Sequence, residues 1–316
     1  MRHSTRPGPT CPDIPREAPF GEPMRVLIFG AAGMLGSDLC SAAPEGVTPI
    51  PLDIADVDIT ERSQVAAALD DARPDWVINA AAYTAVDRAE AERSVAHAVN
   101  ALGARHVAEA AASRRVGIVH FSTDYVFAGT TTRPYHESDP VAPVNAYGES
   151  KLRGEEAVLG SGAHALVVRT QWLFGRAGKS FPRTMWERAA AHLPTRVVND
   201  QIGRPTYTRD LASATWRLVD ERTSGIVHVT NGGAPATWYE VARAVFERAG
   251  VPSLVTPCST ADFPTPARRP PYSVLSTARL EHLLGAPLPD WRDGLGRFLD
   301  ELAGASSAGT DQGQPT

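Results

Sequence analysis

The sequence predicts an α/β protein in which a parallel sheet is covered by helices on both faces, with a smaller C-terminal lobe. Three observations predict it. Short apolar runs alternate with helical stretches through the first half of the 316-residue chain. A glycine-rich turn joins the first such run to a helix. Tyr147 and Lys151 stand four residues apart on a later helix, so they share one face.

The first strand, Met24–Phe29, is a continuous apolar run of the kind a buried parallel strand shows. Gly30-Ala31-Ala32-Gly33-Met34-Leu35-Gly36 follows and opens a helix over 34–40. A strand, a tight glycine turn and a helix N-terminus together make a diphosphate site, because backbone N–H groups and the helix dipole point at the anion. The spacing is G-x-x-G-x-x-G rather than G-x-G-x-x-G, and a ligand-free close-packed turn is the plainer alternative. A second strand, Val47–Leu52, ends on Asp53, whose carboxylate can accept from the ribose hydroxyls of an adenine nucleotide or simply close a turn. That charge repels a 2′-phosphate, and Ala31 and Ala32 bring no cation to offset it. The expectation is therefore a Rossmann-like dinucleotide domain that uses NADH at least as readily as NADPH.

Asp58-Ile59-Thr60 leads into a helix over 61–71 with Thr60 as N-cap. The third strand, Trp76–Asn79, ends in Ala80-Ala81-Ala82, small enough for a nucleotide to lie against the backbone or for tight packing alone. A long alanine-rich helix is expected over 89–114, carrying Asn100. The fourth strand, 117–121, delivers Ser122-Thr123-Asp124-Tyr125 to its carboxyl end, where ligands bind in open parallel sheets. Thr123 can there hydrogen-bond a substrate carbonyl beside Tyr147, or cap the strand end. A phenol with a pKa near ~10 is a poor acid at neutral pH, and a lysine ammonium nearby favours its ionised form. The Tyr147–Lys151 pair can thus move a proton at an alcohol or carbonyl carbon.

Ala165–Thr170 reads as the fifth strand. Beyond it the pattern loosens into helices near 181–191, 209–220 and Trp238–Arg248 and short runs at 196–198 and 226–229. These are expected to supply a sixth and a seventh sheet strand and a lobe of non-contiguous pieces. The resulting divisions are an unstructured 1–23, a dinucleotide domain 24–170, remaining strands plus substrate lobe 171–303, and an unstructured tail 304–316. On the proline-stiffened loop 264–271, Arg268 and Arg269 can clamp a phosphate or carboxylate, or merely sit on the surface.

Composition narrows the function. A net charge of −5 gives no basic footprint for nucleic acid. No apolar run approaches the length of a membrane span. Cys11, Cys40 and Cys258 have neither metal spacing nor the look of a disulfide framework, which suits a reducing cytoplasm.

The glycine turn, Asn79-Ala80-Ala81-Ala82-Tyr83-Thr84-Ala85-Val86-Asp87, Ser122-Thr123-Asp124-Tyr125-Val126-Phe127 and Tyr147-Gly148-Glu149-Ser150-Lys151 resemble the extended short-chain dehydrogenases. Within them the chain is similar to the dTDP-4-dehydrorhamnose reductase family, and Asn199-Asp200-Gln201-Ile202-Gly203-Arg204-Pro205-Thr206 and Pro264-Thr265-Pro266-Ala267-Arg268-Arg269-Pro270 extend the likeness into the substrate lobe. The resemblance implies reduction of the 4-keto group of a dTDP-4-keto-6-deoxyhexose, an oxidoreduction at a CH–OH carbon. It implies a catalytic trio of Thr123, Tyr147 and Lys151, with Tyr147 as proton donor. NADPH or NADH would be held by Gly30, Ala32, Gly33, Met34, Leu35, Gly36, Asp53, Asp58, Ile59, Ala80, Ala81, Ala82, Tyr83 and Asn100 together with Tyr147 and Lys151. The sugar would meet Val86, Thr123, Asp124, Tyr125, Trp172 and Arg268. Gln171 departs from the serine usual before that tryptophan, which leaves the sugar open. Some relatives bind Mg²⁺ through glutamates at a dimer contact; here the helix position is Asp38 and 191–194 has no carboxylate, so no metal is expected. A homodimer is neither demanded nor excluded. Two other readings stay open: a sibling deoxysugar ketoreductase of antibiotic biosynthesis, such as a dTDP-dihydrostreptose synthase, and a non-catalytic regulatory relative like that of methionine adenosyltransferase.

Overall fold

The computed structural model describes residues 22–308. The expected N-terminal extension lies outside these residues but for its last two positions. Six strands form one parallel sheet in the order Gly225–His228, β5 (Ala165–Thr170), β4 (Gly117–Thr123), β3 (Trp76–Asn79), β1 (Met24–Phe29), β2 (Val47–Leu52). The sheet grows one way from β1 to β2 and the other way from β1 through β3, so β1 and β3 flank a switch point, the crevice where open α/β sheets bind ligands.

Side-chain alternation along the strands splits the core into two layers. Val26 and Ile28 of β1 face one side, where α1 (Met34–Ser41) contributes Leu35 and Leu39 and helix Thr208–Asp220 contributes Leu211, Trp216 and Leu218. Leu27 and Phe29 face the other, against Val65 and Leu69 of α2 (Arg62–Ala72) and Val107, Ala108 and Ala111 of helix Ala104–Ser113. Both faces of the central strands β3, β4 and β5 are thus buried, whereas β2 at the sheet edge is only partly covered. A third apolar cluster gathers Phe174, Tyr207, Val241, Phe246, Trp291 and Phe298 from separate stretches into the C-terminal lobe.

Four expectations are corrected. Thr60 does not cap α2: the helix begins at Arg62, so Glu61 occupies the N-cap, without a side-chain bond, and the Thr60 hydroxyl donates to Asp58 Oδ1 at 2.8 Å. The single helix expected over 89–114 is broken into Val86–Ala89, Arg93–His97, a π-helical segment Ala98–Gly103, and Ala104–Ser113. Within the wide π turn Asn100 bonds both backbone groups of Tyr83, accepting from its N–H at 2.9 Å and donating to its carbonyl at 3.0 Å. Among the described residues no seventh strand joins the sheet: Thr195–Val198 pairs instead with Val255–Cys258 in a separate two-stranded sheet. Helix Trp291–Ala308 continues past Ala303, where the tail was expected to start.

Candidate active site

The glycine turn sits at the switch point because no other residue fits there. Gly30 has φ +74°, and a Cβ on it would fall 2.6 Å from the Ala81 amide nitrogen, so the ends of β1 and β3 meet backbone to backbone. A Cβ on Gly36 would fall 2.1 Å from the Gly30 carbonyl oxygen, which lets α1 start directly beneath the turn. Gly33 stands at the N-cap of α1 and offers no side chain. The helix therefore presents its N-terminus uncapped by any side chain, an arrangement that fits the diphosphate of a dinucleotide.

Asp53 is tied into this turn. Its Oδ2 accepts from Ala32 N–H at 2.8 Å and its Oδ1 from Ile54 N–H at 2.8 Å, so the carboxylate braces the loop while keeping further lone pairs for a ligand. Asp58 braces its own corner by accepting from Thr60, and Ile59 is buried against helix Ala104–Ser113. Ala80 and Ala82 lie half-buried beside Ala81, and the Tyr83 hydroxyl donates to Glu92 at 2.5 Å. Asn100 also donates to Ser150 at 2.9 Å, joining the π segment to the helix that carries Tyr147. Asp38, on α1, is buried and accepts from the Thr208 hydroxyl at 2.5 Å.

Helix Ala146–Leu159 carries Tyr147 and Lys151 to the carboxyl edge of β4. Its N-cap is Asn145, whose Oδ1 accepts from Gly148 N–H at 2.8 Å. Gly148 is required by packing: a Cβ there would lie 2.2 Å from the Tyr125 carbonyl oxygen. Tyr125 meets Tyr147 edge to face, with ring centroids 5.9 Å apart. Thr123, at the end of β4, donates to Asp124 Oδ1 at 3.0 Å and lies beside the Tyr147 phenol. Burial pushes Tyr147 up to about 12, with the Thr123 hydroxyl opposing the rise. Burial pulls Lys151 down to about 8, opposed by Glu155. Burial, with the Asp124 charge adding to it, and not the expected Lys151 cation, governs the Tyr147 hydroxyl, so Tyr147 remains a phenol, the form that donates a proton. Burial also raises Asp124 to about 7, against the Ser273 and Thr123 hydroxyls.

The lobe brings a second group to the same edge. Trp172, at φ +50°, stacks on Trp238 with centroids 3.6 Å apart and planes 10° from parallel. Gly203 lies against it, since a Cβ there would be 2.4 Å from Trp172 Cε2. Val86 begins the short helix Val86–Ala89 and is half-buried. Of the two loop arginines, Arg269 is bound to Asp87 through both of its terminal nitrogens. Arg268 has an exposed side chain and no ion-pair partner among the described residues, while its carbonyl accepts from Asn145 at 2.8 Å. Sequence reasoning overlooked Asn145, Asp87 and Trp238. Asn145, three residues before Gly148 at a helix start, carried a readable capping signal; Trp238, distant in the chain, carried none.

A parallel sheet with a glycine turn at its switch point, and a Tyr-x-x-x-Lys helix set against a strand-end threonine, define an extended short-chain dehydrogenase. The family described as RmlD substrate binding domain matches residues 24–303, and the chain belongs to it. A Streptomyces antibioticus protein named "Probable dTDP-4,6-dihydroxy-2-methyloxan-3-one 4-ketoreductase" is 45% identical over 297 residues, 92% of this chain and 99% of that protein. A dTDP-4-dehydrorhamnose reductase of Mycolicibacterium smegmatis is 44% identical over 291 residues, 90% of this chain and 88% of its own. The crystal structure of a Bacillus anthracis dTDP-4-dehydrorhamnose reductase in complex with NADP superposes with a TM-score of 0.85 at 40% identity, covering 88% of this chain and 99% of that one.

Proposed function

We propose that this chain reduces the 4-keto group of a dTDP-4-keto-6-deoxy-L-hexose, dTDP-4-dehydrorhamnose giving dTDP-L-rhamnose, in the cytoplasm. The observation that carries this reading is the Tyr147 phenol, held protonated beside Thr123 where the strand ends open. NADPH or NADH, seated on the glycine turn, supplies the hydride. Thr123 orients the ketone by a hydrogen bond, its hydroxyl turning from Asp124 Oδ1 to the carbonyl oxygen. Tyr147 gives its proton to the same oxygen as the C4–H bond forms, and the phenolate regains a proton from solvent. Lys151, charged below about 8, fixes the nicotinamide ribose and steadies the phenolate while it exists. Asp124, Tyr125, Val86 and Trp172 shape the sugar side of the cleft.

A second reading has a specific observation in its favour. The 45%-identical Streptomyces antibioticus relative carries the name of a ketoreductase for a different dTDP-sugar, so a sibling deoxysugar substrate fits the same machinery. A non-catalytic role is disfavoured, because a pure binding module has no physical need for Thr123, Tyr147 and Lys151 together. The test is incubation with dTDP-4-keto-6-deoxy-L-lyxo-hexulose and NADPH, or NADH, with the product sugar identified by NMR. Formation of dTDP-L-rhamnose supports the first reading. Turnover only with another dTDP-ketosugar supports the second, and no cofactor oxidation with any ketosugar removes both.

A further inference from the structure

The loop from Gly175 to Ser180 joins strand Leu173–Phe174 to helix Phe181–Ala190 and lies against the first turn of α1. Gly175 is wedged there: a Cβ on it would overlap the Thr208 hydroxyl and lie 3.2 Å from Met34 Cγ. A Cβ on Gly178 would lie 4.0 Å from Met34 Cε. One methionine side chain therefore separates this loop from the uncapped N-terminus of α1. Two contacts fix its course. Arg183 donates to the Arg176 carbonyl at 2.6 Å, and Phe181 meets Trp238 with ring centroids 4.7 Å apart. The loop thus runs between the glycine turn and the tryptophan pair of the lobe.

Its charge is one-sided. Arg176 and Lys179 are both exposed, 175–180 holds no carboxylate, and neither cation has an ion-pair partner among the described residues. Arg209, also beside Asp38, is by contrast bound to Glu301 at 2.6 Å. Burial raises the Asp38 carboxyl, one turn along α1 from Met34, and Arg176 is near enough to oppose that rise. The loop cation therefore lies along the face of α1 that Met34 and Asp38 share. A dinucleotide's diphosphate carries a negative charge on each phosphate. The helix end answers it with roughly half a charge, and the glycine turn adds no cation. Oxygens turned away from the α1 N–H groups still lack a counter-charge, and guanidinium and ammonium groups are what such oxygens take. We propose that Arg176 and Lys179 reach past Met34 and pair with the diphosphate of the bound dinucleotide, on the side opposite the α1 N–H groups. This rests on the dinucleotide reading of the glycine turn. The rival is that Arg176 only offsets Asp38 and Lys179 only solvates the loop.

The test measures Kd for NADH by nicotinamide fluorescence and Kd for dTDP by calorimetry, in wild type and in the double variant Arg176→Gln, Lys179→Gln, with melting curves to establish folding. At low salt the double variant should bind NADH at least about fivefold more weakly, and dTDP within about twofold of wild type. The gap for NADH should narrow as salt rises, because the lost contacts are charge pairs. A second measurement needs no substitution. Lys179 and the buried Lys151 are the sole lysines in the sequence, so acetylation of Lys179, read by mass spectrometry on wild type, reports on this loop. Saturating NADH should slow it at least about fivefold, and dTDP should not, because an ammonium paired with phosphate is a poor nucleophile. A smaller loss of NADH affinity in the folded double variant, or an unprotected Lys179, overturns the proposal and leaves the dinucleotide reading standing. A loss for dTDP as large as that for NADH overturns it too, because the cations then serve the sugar's diphosphate. A wild type that binds no dinucleotide overturns both.

Discussion

Arg269 closes on Asp87 through two short bonds, Nη1 to Oδ1 at 2.6 Å and Nη2 to Oδ2 at 2.7 Å, with Ala267 N–H adding a third at 3.1 Å. The proline loop is thereby fastened to the helix that carries Val86. Of the roles open to this arginine from the sequence, a clamp on a carboxylate is the one its contacts serve, and that carboxylate belongs to the chain's own Asp87. Arg269→Ala should lower stability by about 1–2 kcal/mol, less than a fully buried pair would cost because Asp87 remains partly exposed. Arg268→Ala should leave the melting temperature unchanged and raise KM for the dTDP-sugar about three- to tenfold, the effect of one lost guanidinium on a diphosphate. An unchanged KM in Arg268→Ala withdraws the substrate role for that residue.

Tyr147→Phe removes one hydroxyl and little else. Turnover should fall by about 10²–10⁴-fold, the usual contribution of a positioned general acid, while the Kd for the dinucleotide stays within about twofold of wild type. Half or more of the wild-type kcat surviving in this variant removes Tyr147 from the mechanism.

Asp53 is expected to set the choice of dinucleotide. With no cation in the glycine turn to offset its charge, wild type should use NADH at least comparably to NADPH. Asp53→Asn keeps an acceptor for Ala32 N–H, so the turn survives while the repulsion of a 2′-phosphate disappears. The ratio of kcat/KM for NADPH over NADH should then rise by about tenfold, as expected for one like-charge contact at a half-exposed site. A wild type that prefers NADPH by more than about a hundredfold would falsify the electrostatic account of this residue.

Lys151 is buried and its pKa is drawn down to about 8. The unfolded chain holds this proton up to about 10.4, so between pH 8 and 10 the unfolded state binds more protons and stability should rise with pH. Below about 8 both states are charged and the full penalty of burying the ammonium is felt. Lys151→Met should accordingly be more stable than wild type at pH 7, by about 1–3 kcal/mol, and its stability should lose that alkaline rise. It should also be inactive. Denaturant melts at pH 7 and 9.5 check both points, and a variant less stable than wild type at pH 7 contradicts the assignment.

The sheet was legible because its central strands are buried on both faces and therefore read as largely apolar runs, and the partly covered edge strand β2 was marked by its end on Asp53. Thr123, Tyr147 and Lys151 were found because two short segments carry them, and the fold had only to bring one strand end to one helix. What escaped depended on partners distant in the chain. The sequence near Lys151 suggests a cation that acidifies a phenol; only the packing reveals that burial of Tyr147 raises its pKa instead. The loop arginines could not be told apart until Asp87, 182 residues before Arg269, took one of them. Thr60 failed as a cap because the helix starts one residue later than expected, which puts Glu61 at the N-cap.

The wide turn at Ala98–Gly103 holds one residue more than a regular helix of the same span would. Each residue of an α-helix turns the chain by about 100°. Deleting one residue here would restore a regular hydrogen-bond ladder, but it would swing everything on the N-terminal side of the deletion around the axis by that amount. Asn100 could then no longer reach Tyr83 and Ser150 together, and its carbonyl would no longer rest against Gly154, where a Cβ would lie 2.2 Å away. The irregularity therefore works as a phase adjuster: it lets one helical stretch reach Tyr83 and Ser150 at its start and the hydrophobic layer at its end, two directions that a straight helix of this length would not face at once.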